Sequence, residues 1–220
     1  DYYNDKGVSY PRNLYAAFIS TLDDRIGALL KKLDELGIKD NTIIVFQSDN
    51  GHSTEQRAHF GGGNAGPYRG AKSSLFEGGI RVPAAITWPN KIQKGAIRNQ
   101  FGVNSDWMPT LAELCGIKLD SQDLDGKSLV DIINNEKEKT RHTEGYCWQY
   151  QDMWVARKGN WKLLGNPRDT SKKTYKLKEK RFLVNLDDDI GETINLAKKH
   201  PNKVIELEQH YRNWLKKNKN

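Results

Sequence analysis

From Pro11 to Leu36 the apolar residues Phe18, Leu22, Ile26, Leu29, Leu30 and Leu33 recur at helical spacing, the stripe by which a helix buries one face. Pro11 stands near the start, where a missing N–H breaks no helical bond, and Gly37 stands where a C-cap belongs. The spacing predicts one long amphipathic helix. After the turn pair Asp40-Asn41 comes Thr42-Ile43-Ile44-Val45-Phe46, a continuous β-branched and aromatic run of the kind found in strands covered on both faces. A helix, a tight turn and a covered strand make an αβ unit, which predicts an α/β domain with a largely parallel sheet. In such domains ligands bind outside the carboxyl ends of the strands. Ser48, Asp49 and Asn50 stand at such an end.

Residues 51 to 80 are rich in glycine and have little apolar periodicity, which is long for a structureless loop in a compact domain and points to a functional or disordered segment. Ile80 to Trp88 reads as a short strand, and Ser105 to Leu114 as a helix capped by Ser105 or Asp106. The α/β part is expected to end near Asn135, giving domains over 1–135 and 136–220. In the second, Tyr146 to Val155, Trp161 to Leu164 and Phe182 to Leu186 read as short strands, and Pro201 to Lys217 as a closing amphipathic helix. This predicts a small antiparallel sheet crossed by one helix, an α+β appendage. No internal repeat interrupts that plan.

Length and composition fit a globular chain. A sequence of 220 residues can hold one large domain or a domain and a half, and 10% aromatic content is too high for a charge-rich disordered chain. No run of eighteen apolar residues occurs, so no membrane span is predicted. Cys115 and Cys147 lie outside any CxxC spacing and read as free, partly buried thiols rather than a disulfide or zinc framework. The chain starts at Asp1 without a leader-like segment, and the compartment is not legible from that end.

The net charge of +7 is concentrated: between Arg157 and Arg181 there are ten Lys or Arg against Asp169 and Glu179, so one stretch carries the whole excess. Within it, 166–180 reads as a long solvated loop or hairpin insert. A solvated face is the plain reading. The sharper one is a cationic rim that draws in a polyanion, either nucleic acid or a sulfated polysaccharide. Nucleic acid ranks low, because stacking platforms and nucleic-acid motifs are absent.

Asp49 and Asn50 place a carboxylate and an amide carbonyl side by side, both hard oxygen donors suited to Ca²⁺ or Mg²⁺. Asp-Asn-Gly is also a turn sequence. That reading leaves unexplained the apolar strand before it and the glycine-rich, basic loop after it. Downstream, Tyr68-Arg69-Gly70-Ala71-Lys72 is followed by Phe76-Glu77-Gly78-Gly79-Ile80-Arg81-Val82-Pro83. The run from Ser48-Asp49-Asn50-Gly51 through these two segments resembles the second half of the sulfatase family, within the alkaline-phosphatase-like superfamily. The resemblance extends over most of the chain, through Asp24 and Gly27, Asp40-Asn41-Thr42, Trp88-Pro89 and Asp106-Trp107-Met108-Pro109. It continues through Leu124-Asp125-Gly126-Lys127, Trp161-Lys162-Leu163 and Asp189-Ile190-Gly191-Glu192-Thr193-Ile194-Asn195-Leu196.

The resemblance implies a mechanism. Sulfatases use a formylglycine made from Cys or Ser, with a divalent cation, usually Ca²⁺, on the sulfate oxygens. The family's Asp-Asn metal pair maps onto Asp49 and Asn50, and the Lys of its Arg-Gly-x-Lys motif onto Lys72. Lys72 would neutralise a sulfate oxygen and the charge developing on the leaving oxygen. The nucleophile motif needs Cys or Ser with Pro two residues on and Arg four residues on. Cys115, Cys147 and Ser9 all fail that pattern, so no nucleophile is expected in this chain. The family's N-terminal aspartates also have no counterpart. The chain therefore resembles a C-terminal half that alone hydrolyses no sulfate ester and binds Ca²⁺ weakly or not at all. The resemblance further implies a periplasmic or secreted parent.

Of the remaining polar residues, His52, Arg57 and His59 lie in the loop between the metal pair and Lys72, where histidines are as often incidental as substrate ligands. Arg69 is a candidate for substrate binding or for bracing the loop. Glu77 and Arg81, four apart beside two glycines, read as a lock on a turn. Asp23 and Asp24 are adjacent on a helix and point apart, so they make no metal pair. Three functions follow: a sulfuric ester hydrolase acting on a sulfated small molecule or polysaccharide, a phosphodiesterase or phosphonate hydrolase of the same superfamily, or a non-catalytic polyanion-binding module.

Overall fold

The computed structural model describes residues 2–58, 62–119, 124–172 and 177–218, with only the main chain of Arg57. It divides into two compact units, one of Asp1–Lys39, Val45–Ala85 and Tyr146–Asn220, the other of Asp40–Ile44 and Ile86–Gly145.

In the first unit, a short helix Tyr2–Asp5 (α1) precedes the long helix Arg12–Glu35 (α2). Past α2 the Gly37 and Ile38 amides turn back onto the carbonyls of Asp34 and Leu33, at 2.9 and 3.1 Å, the paired bonds that close many helices. The predicted helix forms, but no residue of α2 is buried. Phe18 and Leu29 are 69% and 60% exposed. Ile44–Gln47 (β1) pairs with Ala84–Thr87 (β2) in a two-stranded sheet. β1 was expected to be covered on both faces; instead Phe46 is 47% exposed, and no residue of β1 is buried. The apolar run marks a strand correctly, yet the described residues do not cover it.

The C-terminal part of this unit is a four-stranded antiparallel sheet of Tyr146–Tyr150 (β3), Met153–Lys158 (β4), Trp161–Gly165 (β5) and Arg181–Asn185 (β6), in that order. The single strand expected over Tyr146 to Val155 is a hairpin, because Gln151 adopts φ +56° and lets the chain reverse at Gln151 and Asp152. Strand alternation then sorts the side chains onto two faces. Trp154, Ala156, Leu163 and Leu183 point to one face, which Leu207 and Tyr211 of the helix Pro201–Lys217 (α6) cover. Trp154 and Tyr211 stack with ring centroids 4.2 Å apart. Met153, Val155, Leu164, Phe182 and Val184 point to the other face, which Leu75 and Phe76 cover. That second cover comes from the glycine-rich loop, so the segment carrying Lys72 is roofed onto the C-terminal sheet.

The glycine-rich segment of the first unit ends in a single helical turn, Glu77–Ile80 (α3). The second unit contains the helices Trp107–Leu114 (α4) and Val130–Asn134 (α5). Asp106, at the N-cap of α4, makes no capping bond to it through its side chain. The buried Asp106 carboxylate instead accepts the Val103 and Lys127 amides at 2.8 and 2.7 Å, with His142 Nε2 2.9 Å away.

Candidate functional site

Three backbone segments of the first unit converge, and glycine permits it. The Gly51 amide donates to the Gly79 carbonyl at 2.9 Å, and the Lys72 amide donates to the His52 carbonyl at 2.9 Å. A Cβ on Gly51 would lie 1.9 Å from the Gly78 carbonyl oxygen, and one on Gly78 would lie 2.4 Å from the Gly70 carbonyl oxygen. Only residues without side chains let these main chains touch. The turn after β1, which holds Asp49 and Asn50, is thereby fastened to the loop that holds Lys72. The sequence places these residues twenty-two positions apart or more; the fold places them on bonded neighbours.

Among the described residues no hydrogen bond or ion pair engages the Asp49 carboxylate or the Asn50 side chain, and Asp49 is exposed. Two unengaged hard oxygen donors suit a cation such as Ca²⁺, which takes six to eight oxygens. No group of three or more His, Cys, Asp or Glu able to hold a metal occurs among the described residues, so the two oxygens of this pair are all it offers a cation. Lys72 is one-third exposed, and its ammonium lies 3.6 Å from the Glu55 carboxylate, a contact that keeps the charge at the loop surface. His52 is partly buried, its Nδ1 has no hydrogen-bond partner among the described residues, and burial pushes its pKa down. A neutral imidazole there can accept or donate one bond to a ligand. Arg57's side chain and all of His59 lie outside the described residues.

Arg69 is turned inward. Its Nε donates to Asp169 at 2.9 Å, its Nη1 to the Glu192 carbonyl at 2.8 Å, and its guanidinium lies 4.3 Å from the Phe76 ring centroid. Asp169 is buried; burial alone would raise its carboxyl, but the Ser171 hydroxyl and Arg69 outweigh that and hold it below the usual range. Further bonds tie the same loop to the segment after β5: Ser74 Oγ donates to the Arg168 carbonyl at 2.7 Å and Thr170 Oγ to the Ala71 carbonyl at 3.0 Å. Glu77 does more than pair with Arg81. Its buried carboxylate lies 2.8 Å from Lys162 Nζ, 3.6 Å from Arg81 and 3.8 Å from Arg157.

Sequence reasoning assigned no role to Glu55, Lys162, Asp169 or Glu192. The Lys162 signal was present, since Trp161-Lys162-Leu163-Leu164 puts Lys162 on the same strand face as the core residue Leu164. The basic stretch is accordingly not one solvated rim. Lys162 is fully buried, Arg157 faces Glu77, Arg168 pairs with Asp152, and Arg181 pairs with Glu208 beneath Trp154. Lys158, Lys172, Lys178 and Lys180 remain exposed, and Lys173 and Lys176 lie outside the described residues.

Residues 2–117 match the sulfatase family, and residues 69–219 match the C-terminal region of N-sulphoglucosamine sulphohydrolase. The chain belongs to the sulfatase family. It is 31% identical over 226 residues to a sulfatase of Formosa agariphila, covering 93% of this chain and 40% of that protein. It is 30% identical over 210 residues to arylsulfatase A of Bos taurus, covering 86% of this chain and 41% of that protein. The solved structure of Ps i-CgsB with k-i-k-neocarrahexaose superposes with a TM-score of 0.79 at 26% identity, covering 94% of this chain and 44% of that one. The fold is therefore alkaline-phosphatase-like, and the chain spans about two-fifths of the length of the relatives it matches.

Proposed function

We propose that this chain is the C-terminal half of a sulfuric ester hydrolase, with 1–135 belonging to the catalytic α/β domain and 136–220 forming its small α+β subdomain. The observation that carries the reading is the fastening of the Asp49-Asn50 turn to the Lys72 loop through Gly51, Gly78 and Gly79. That packing sets two oxygen donors and an ammonium on bonded neighbouring segments, the combination that binding a cation and an anion together requires.

Asp49 and Asn50 would hold part of the coordination of Ca²⁺, or of Mg²⁺, with the remaining ligands and a formylglycine nucleophile supplied by an N-terminal half. A divalent cation there would withdraw charge from the sulfate oxygens. Lys72 binds a sulfate oxygen and offsets the charge that grows on the leaving oxygen. His52 lies one bond from Lys72 and contacts the ring that carries the ester, and Arg57 and His59 belong to the same loop. Arg69 is a brace for that loop. A sulfated polysaccharide is the substrate class favoured, supported by the k-i-k-neocarrahexaose held by Ps i-CgsB and by the four exposed lysines on and after β4.

The test joins the chain to an N-terminal half bearing an installed formylglycine and follows sulfate release from 4-nitrocatechol sulfate and from sulfated oligosaccharides. Turnover that Lys72→Ala lowers and chelation removes is the expected result. No sulfate release from any aryl or sugar sulfate, with Ca²⁺ bound, overturns the reading.

A further inference from the structure

Both ends of the loop that carries Lys72 are held by one residue. At one end the Glu192 carbonyl accepts Arg69 Nη1–H at 2.8 Å; at the other a Glu192 carboxylate oxygen accepts the Glu77 amide at 2.5 Å. The second carboxylate oxygen lies 2.9 Å from Lys162 Nζ, and Lys162 also holds the Glu77 carboxylate at 2.8 Å. Lys162 and Glu192 are fully buried, and Glu77 is 2% exposed. The cluster is thus sealed from water, where each bond is strong and each unpaired charge is costly.

Glu192 is itself fixed from behind. The Asp189 carboxylate accepts the amides of Thr193 and Ile194 at 2.7 and 2.8 Å. Three residues past Glu192, Asn195 ties the turn to β6, accepting the Leu183 amide at 3.1 Å and donating to the Arg181 carbonyl at 2.9 Å. Glu192 also stands at φ +51°, in the left-handed region that a residue with a Cβ occupies only when its surroundings compel it. An apolar roof is already present in Leu75 and Phe76. Apolar contact has no direction; hydrogen bonds to both ends of a loop do.

We propose that Glu192 is a positioning residue for Lys72, clasping residues 69–77 against β5 and β6 so that the ammonium keeps one place at the anion site. The inference rests on the reading of Lys72 as the sulfate-binding group. Glu192 never touches substrate: it acts through the loop. Lys162 Nζ, 2.9 Å from one carboxylate oxygen, aims the clasping group, and Arg69 closes the other end.

The experiment compares Glu192→Ala, Glu192→Gln and Lys72→Ala in the joined enzyme, with 4-nitrocatechol sulfate as probe and amide hydrogen exchange read over 70–76, β3–β6 and α6. Displacement of a positioned group costs about 100-fold in rate, so Glu192→Ala is expected to lower kcat about 100-fold with a smaller rise in KM. Glu192→Gln keeps an oxygen for the Glu77 amide and recovers part of the loss. Amides of 70–76 exchange faster in Glu192→Ala while the sheet and α6 keep wild-type protection. Wild-type protection of the loop in Glu192→Ala overturns the proposal whatever the turnover. So does protection lost alike in loop, sheet and α6, which would make Glu192 a support of the whole fold. If Lys72→Ala is inactive and Glu192→Ala has wild-type kcat, the clasp is wrong and the sulfate-binding reading stands. Wild-type turnover in Lys72→Ala overturns that reading itself.

Discussion

Lys162 of β5 and Arg157 of β4 are register partners in the antiparallel sheet, and both side chains are directed at the same Glu77 carboxylate, at 2.8 and 3.8 Å. Like charges directly opposite each other destabilise a strand pair. Here the cost is offset because Glu77 lies between them and Glu192 takes the far side of Lys162.

Removing the shared carboxylate should therefore be expensive. Breaking a buried pair by deleting one partner costs about 3–5 kcal/mol, and Glu77→Ala is expected near the lower end because Lys162 keeps Glu192. Urea unfolding of the wild type and the variant measures the difference. A loss below about 1 kcal/mol, the value of an exposed pair, would show that water reaches the cluster.

The same groups predict the response to acid. Burial alone would raise the Glu77 carboxyl, but Lys162, then Arg157 and Arg81, outweigh it and hold it low; Asp169 is held low by Ser171 and Arg69 against its own burial. For a carboxyl depressed by folding, the stabilisation is present above its unfolded pKa of about 4 and is lost as pH falls through the lower folded value. Glu192 opposes this: burial raises its carboxyl, so its contribution is largest at low pH and is lost as pH rises through the raised value. The urea midpoint of the wild type is expected to drop as pH is lowered from about 4, and Asp169→Asn should flatten that drop. Parallel curves would remove Arg69 and Asp169 as its source.

How much of this was legible depended on range. The helix Pro201–Lys217 begins at its proline and runs to the predicted end, because capping and periodicity are written in neighbouring residues. The antiparallel sheet was legible as well, but the turn at Gln151 and Asp152 was not, since it lacks the glycine or Asn-Gly that signals a hairpin. Asp49, Asn50 and Lys72 were assigned by motif, and the structure brings their segments together. The clasp was not, because Lys162 meets Glu77 across 85 positions and charge counting assigns no face. The stripe on α2 marks a helix correctly, but periodicity identifies a face and not what covers it, and no residue of α2 is buried among the described residues.

The two thiols should separate by reactivity. Cys115 is exposed, whereas Cys147 is 3% exposed on β3 beneath α6, and burial pushes its thiol up to about 12. The thiolate is the reacting form. With Ellman's reagent at neutral pH, one thiol per chain is expected to react at once and the second only in denaturant. Prompt reaction of both would mean that α6 lifts from the sheet.

Gly51→Ala tests the contact on which the site depends. The added methyl would stand 1.9 Å from the Gly78 carbonyl oxygen and 2.9 Å from the Gly79 Cα, both of them main-chain atoms. No rotamer change relieves such a clash, so the turn after β1 must move away from the glycine pair. Overpacking of this kind costs about 1–3 kcal/mol, and the bond from the Gly51 amide to the Gly79 carbonyl is lost with it. Hydrogen exchange at residue 51 and at Lys72, whose amide bonds His52, should speed up together, because one displacement breaks both. If Gly51→Ala exchanged faster at residue 51 alone, the Asp49-Asn50 turn and the Lys72 loop would be neighbours without being coupled, and a substitution at one would leave the other in place.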